Sequence, residues 1–129
     1  MALTRGFKAT ILARVQRDPG FRQALLREGI ESFLSGDVET GKIILRDFIN
    51  ATVGFPKLSD ITHRSAKSLM RMLGPGGNPQ ARNLFEVVRH LQEAEGVRFE
   101  VRPARAASRP RQQSHVGRTA RRAVSAGSE

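Results

Sequence analysis

Sixteen residues, Leu58-Ser59-Asp60-Ile61-Thr62-His63-Arg64-Ser65-Ala66-Lys67-Ser68-Leu69-Met70-Arg71-Met72-Leu73, constrain this chain more than any other stretch. Their pattern describes two short helices folded against each other. The first runs roughly from Pro56 to Thr62 and turns Leu58 and Ile61 inward. A tight connection at His63-Arg64 follows, and Ser65 stands where the N-cap of the second helix belongs. In that helix Leu69, Met72 and Leu73 recur at i, i+3, i+4 and form a buried stripe. Lys67, Ser68 and Arg71 are left facing out, with Ala66 and Met70 beside them. A short helix with an apolar back and a small, basic front suits the DNA major groove, which is about 12 Å wide and admits one helix. The stretch therefore reads as a helix-turn-helix. Two positions depart from the usual motif. His63 stands where a Gly free to take positive φ is usual, and Arg64 stands where an apolar residue normally tucks inward. His can enter the left-handed region at some cost.

The remaining segments supply a scaffold. Residues 4–17 place Phe7, Ile11 and Val15 on one helix face. Asp18-Pro19 is a helix start, an acceptor followed by Pro, and the helix it opens carries Phe21, Leu25, Ile30, Phe33 and Leu34. Gly29 inside that helix predicts a close packing contact. Ser35-Gly36 stops it and Asp37 caps the next, roughly Val38 to Thr52, with Ile43, Ile44, Phe48 and Ile49 buried and Gly54 as its C′ residue. Gly74-Pro75-Gly76-Gly77 is a loop. Asn78-Pro79 repeats the cap-then-Pro signal and opens a helix through about Gln92, whose buried stripe is Leu84, Phe85, Val88 and Leu91. Val97–Arg102 alternates apolar and polar residues as a half-buried strand does. One strand alone leaves its backbone groups unpaired, so the expected partner is the same strand of a second copy in a two-fold homodimer.

Charge separates two regions. Residues 102–129 hold seven arginines against Glu129, leaving 15 of the 22 basic and 11 of the 12 acidic side chains to the first 101 residues, a net of +4 within a total of +10. From Pro103 onward there is almost no apolar bulk to offset ordering entropy. The expected organisation is a helical helix-turn-helix DNA-binding domain over 1–102 and a disordered Arg-rich tail over 103–129, able to add non-specific phosphate contacts. The expected class is all-α: a bundle of about five to six helices with one short C-terminal strand.

Other chemistries lack their residues. Zero cysteines remove disulfides and Cys-based zinc sites. His63, His90 and His115 lie on separate segments without metal-ligand spacing, and Gly74–Gly77 lacks the Lys-Ser/Thr of a P-loop. No motif assembles a catalytic set, so no cofactor, metal or enzymatic activity is expected. No apolar run approaches the ~18 residues of a membrane span, and a cytoplasmic, nucleoid-associated location is expected.

In order, Asp18-Pro19-Gly20-Phe21, Leu34-Ser35-Gly36-Asp37, Ile44-Leu45-Arg46-Asp47-Phe48-Ile49, Lys57-Leu58-Ser59, Ser65 through Leu73, Gly77-Asn78-Pro79 and Asn83-Leu84-Phe85 resemble the antidote (antitoxin) proteins of bacterial addiction modules. These are helix-turn-helix regulators of the phage repressor and Cro-like group. The resemblance covers roughly residues 5–101 and is most specific from Ser68 to Phe85; besides His63 and Arg64, Ser59 departs from it, standing where a small Ala is typical. It implies a compact five-helix domain that represses its own operon and, in antidote members, neutralises a RelE-like toxin. Carried over by position, the DNA-binding residues would be Ser65, Ala66, Lys67, Ser68, Met70 and Arg71. Lys67 and Arg71 would take base edges or phosphates, Ser65 or Ser68 a phosphate, and Ala66 and Met70 a thymine methyl. The alternative is a protein-interaction module that neutralises a toxin or other partner without binding DNA, the reading a distorted turn at His63-Arg64 would favour.

Overall fold

The computed structural model describes residues 5–105. Six helices follow in order: α1 Arg5–Arg17, α2 Pro19–Leu34, α3 Val38–Ala51, α4 Phe55–Thr62, α5 Ala66–Met72 and α6 Ala81–Glu95. The chain divides into two units, the first ending at Phe99 and holding all six helices, the second beginning at Glu100. The described part of the second unit is irregular backbone with an Arg102–Glu100 ion pair at 3.4 Å. Most of the expected Arg-rich tail, residues 106–129, lies outside the described residues.

Local chemistry fixes the helix ends. Asp18 caps α2 by accepting from the Phe21 N–H at 3.1 Å, with Pro19 at the first helical position. That N–H, and Arg14 beside it, hold the Asp18 carboxyl below the usual range. Asp37 caps α3 through the Thr40 N–H. At the far end of α3 the C-cap is Thr52, and the Gly54 N–H reaches back to the Ile49 carbonyl at 2.7 Å. Gly54 thus lies one residue later than the C′ position expected for it and also leads into α4. Between α5 and α6 the chain turns over residues 73–76 and is then irregular as far as Gln80, the extended N-cap of α6, so the Asn78-Pro79 signal falls outside the helix. Those residues are spent descending from α5, with the Gly77 carbonyl tied to Lys42.

The core is one aliphatic cluster with two Phe side chains. Leu26 of α2, Leu45, Phe48 and Ile49 of α3, Phe55 and Leu58 of α4, Leu69 and Leu73 around α5, and Leu84, Val87, Val88 and Leu91 of α6 are all buried in it. The predicted close contact at Gly29 is present: a Cβ there would meet Ile44 Cγ2 at 3.0 Å. Gly41 repeats the arrangement from the other helix, facing the Phe33 ring, so α2 and α3 approach each other over two glycines.

Four apolar residues expected inside are outside: Leu34, Ile43, Ile61 and Phe85. The reason is helical phase. In α3 the inward set is Gly41, Lys42, Leu45, Phe48 and Ile49, which places Ile43 on the opposite side at 50% exposure and leaves Leu45 fully enclosed. In α6 the set Leu84, Val87, Val88 and Leu91 turns Phe85 outward.

Among the described residues no strand is formed, and residues 97–102 are irregular. The Val97 N–H instead closes onto the Gln92 carbonyl, the Phe99 N–H onto Gln92 Oε1 at 2.8 Å, and Phe99 packs against the core. A hydrophobic pattern alone therefore does not make this segment a strand within one chain.

The phase of α3 gives a contrast measurable by urea denaturation. Leu45→Ala should cost about 2–5 kcal/mol, whereas Ile43→Ala, at the other end of the same run of aliphatics, should stay within about 0.5 kcal/mol of wild type.

Candidate nucleic-acid interface

α4 and α5 meet at a turn whose geometry decides how α5 is presented. His63 adopts φ 59° and ψ 33°, the left-handed conformation, and among the described residues it alone does so without being Gly. Its N–H closes α4 onto the Ser59 carbonyl at 2.9 Å. Ser59 adds a second tie: its hydroxyl donates to the Arg64 carbonyl at 2.6 Å. Thr62 is buried and its hydroxyl donates back to Leu58. The chain then extends at Ser65, φ −67° and ψ 147°, whose Oγ accepts from the Ser68 N–H at 3.0 Å and starts α5.

Arg64 does not tuck inward. It lies half-buried and crosses to α6, where its guanidinium donates to Glu86 Oε1 at 2.9 and 3.3 Å. That guanidinium holds the Glu86 carboxyl below the usual range, with desolvation opposing it. The pair ties the turn to α6 by a forked hydrogen bond where an apolar side chain would have tied it by packing.

α5 buries Leu69, and Leu73 just beyond it, and half-buries Met72. Lys67, Met70 and Arg71, at i, i+3, i+4, stand exposed on one face. With the Gly74–Gly77 loop they line an open groove of about 490 Å³. Ser65 and Ser68 are exposed at the first turn, and Ala66 is half-buried with its methyl against the core. The six residues singled out in the sequence therefore separate into three on the groove, two serines at the helix start, and one small residue half turned in. Neither Lys67 nor Arg71 has an ion-pair partner among the described residues, whereas Arg14, Arg22, Arg27, Lys42, Arg64 and Arg89 each pair with a carboxylate.

Two cations of α3 escaped the sequence reading. Lys42 is enclosed at 1% exposure, and its Nζ donates to the carbonyls of Gly74 at 3.0 Å and Gly77 at 2.7 Å and lies 3.1 Å from Glu39 Oε2. Arg46 Nη1 donates to the Leu73 carbonyl at 3.3 Å. The available signal was a Lys inside the run Gly41–Leu45, read as polar, together with a downstream Gly-Pro-Gly-Gly loop whose carbonyls needed donors.

No group of His, Cys, Asp or Glu among the described residues is placed to hold a metal ion, and no described helix is long and apolar enough to cross a membrane. Comparison with protein-family models, curated proteins and solved structures finds no match to this chain. The site stands on its own geometry.

Two outcomes follow from the turn. His63→Gly removes a left-handed strain of about 1–2 kcal/mol against an unfolded-state cost of about 0.5–1 kcal/mol. A net gain of roughly 0.5–1 kcal/mol in urea denaturation is expected, and His63→Val should lose stability. A carboxyl held below its ordinary value stabilises the fold above that value and stops doing so as pH falls through the lower folded one. The wild-type melting temperature should therefore drop more steeply below about pH 4.5 than that of Glu86→Gln, a modest difference because the pair is partly exposed.

Proposed function

We propose that this chain is a sequence-specific transcriptional regulator that binds double-stranded DNA through α5 and acts as an autorepressing antitoxin of a toxin-antitoxin module. The observation that carries the DNA reading is the pairing of a capped two-turn helix with a left-handed turn before it. Together they leave Lys67, Met70 and Arg71 on one exposed face without carboxylate partners among the described residues. Lys67 and Arg71 are the base-edge or phosphate donors, Met70 the apolar contact to a thymine methyl, and Ser65 and Ser68 phosphate ligands, while Ala66, its methyl against the core, lets the backbone approach. The operon and toxin parts rest on the likeness to addiction-module antidotes, with a RelE-like toxin as the partner.

A homodimer suits the reading, because two copies present two recognition helices to a two-fold operator. To pair as strands, residues 97–102 of each copy would have to exchange the Val97 and Phe99 bonds to Gln92 for bonds across the two-fold. Sedimentation at micromolar concentration tests this, and a monomer there removes it. The alternative, toxin masking without DNA binding, drew its support from a distorted turn. His63 in the left-handed region and Ser65 as N-cap support the DNA-binding reading over it.

The test is fluorescence anisotropy on DNA from upstream of the chain's own gene beside a scrambled duplex. Wild type should prefer the native duplex about tenfold or more, and Arg71→Ala should lose about 1–3 kcal/mol of that preference. Equal binding to both duplexes that vanishes in a chain ending at Arg102 would make the tail the nucleic-acid contact and the helix-turn-helix a scaffold.

A further inference from the structure

We propose that Lys42 is the positioning residue of the base-reading helix: by holding the Gly74 and Gly77 carbonyls it fixes where α5 ends and where Lys67, Met70 and Arg71 stand. The inference rests on the DNA-binding reading above.

α5 has seven residues, and a helix leaves its last four carbonyls without partners inside it. The chain leaving α5 is held from α3. Arg46 takes the Leu73 carbonyl, and Lys42 takes those of Gly74 and Gly77. Two N–H groups of the Lys42 ammonium are thus engaged, and the Glu39 carboxylate lies 3.1 Å away as its counter-charge. Neither Lys42 nor Arg46 lines the groove of Lys67, Met70 and Arg71, so both act from behind it.

The loop transmits that hold. Gly77 lies so close to the carbonyls of Arg71 and Met72 that no Cβ fits between them. The Gly77 backbone and the end of α5 must therefore move together, and what anchors Gly77 anchors the backbone of Arg71. Stability alone does not call for a lysine here. Burying an ammonium is costly, and an apolar side chain of the same length could fill its space without that cost. Released from Lys42, the buried Gly74 carbonyl would keep the Gly77 N–H at 2.9 Å, and the half-buried Gly77 carbonyl would be the one left to find water. What the ammonium adds over a methionine is one fixed loop position.

Lys42→Met and Glu39→Gln would be compared with wild type by anisotropy on a duplex selected from a random pool by wild type, and on its scrambled counterpart. Amide NMR spectra would be recorded for each. Lys42→Met should keep native amide shifts except at Lys67–Leu73, Gly74, Gly76 and Gly77. It should bind scrambled DNA within about threefold of wild type and lose about tenfold or more of its preference for the selected duplex. Glu39 is two-thirds exposed, so Glu39→Gln should fold normally, shift the same loop amides and lose a smaller part of the preference. Full preference retained in a folded Lys42→Met overturns the role of Lys42 and leaves the DNA reading standing. So does an unfolded Lys42→Met together with unchanged loop shifts and preference in Glu39→Gln, which would make Lys42 a core residue only. Failure of wild type to prefer any selected duplex removes the DNA reading itself, and this inference with it.

Discussion

The unit ending at Phe99 depends on the burial of α3. Leu45, Phe48 and Ile49 are exposed by 1% or less, and the aliphatic cluster around them includes side chains of α2, α4, α5 and α6. The two helices of the turn could not exist otherwise. At eight and seven residues, α4 and α5 fall far below the roughly 12–15 residues at which an isolated helix holds in water. They are helical because Phe55, Leu58, Leu69 and Leu73 are buried in that cluster and because Ser65 and His63 settle their ends. The candidate interface is thus a surface feature whose order comes from the core behind it.

What was legible in the sequence divides along the same line. Some caps could be read directly: Asp18 with Pro19, Asp37 and Ser65 all sit where their chemistry places them, whereas Asn78-Pro79, the same signal, lies before α6, whose N-cap is Gln80. Phase was harder wherever apolar residues run together. Ile43, Ile44 and Leu45 offer three consecutive candidates for one inward position, and the residue that would have decided among them is Lys42, which a binary pattern counts as polar. Its methylene stem packs as an apolar side chain while its head finds two carbonyls, 32 and 35 residues away in the chain, and the Glu39 carboxylate. Long-range satisfaction of that kind has no local signature. In α6 the adjacent Leu84 and Phe85 pose the same ambiguity, and packing buried the smaller Leu84, while Val87 and Val88 are both buried. On the site itself, Lys67, Met70 and Arg71 were legible because a seven-residue helix with one buried stripe has only one side left to show.

The turn shows how a departure from a usual pattern can be absorbed. A left-handed non-Gly residue is strained, and here the strain is confined to His63, with bonds from both sides closing around it. Ser59 ties the Arg64 carbonyl back to α4, the Ser65 hydroxyl starts α5, and Glu86 takes the Arg64 side chain onto α6. Ser59 and Arg64 are themselves departures from the antidote-like pattern, at the position of a small residue and of an inward apolar one. In this structure they are partners of the same turn, a polar solution to the same geometric problem.

Electrostatics then distinguishes α5 from the rest of the basic surface. A cation already paired with a carboxylate must give up that partner, or share it, to contact a phosphate. A cation with only water and counterions releases them, and that release supplies much of the drive for binding a polyanion. Arg14, Arg22, Arg27, Arg64 and Arg89 are of the first kind, at distances of 2.7 to 3.8 Å from their acids. Lys67 and Arg71 are of the second kind, side by side with Met70 along one open groove. Arg17, Lys57 and Arg82 are likewise exposed without an ion pair among the described residues, but Lys67 and Arg71 stand side by side on the helix that the core, the turn and the loop together hold in place. On that helix base edges would be within reach.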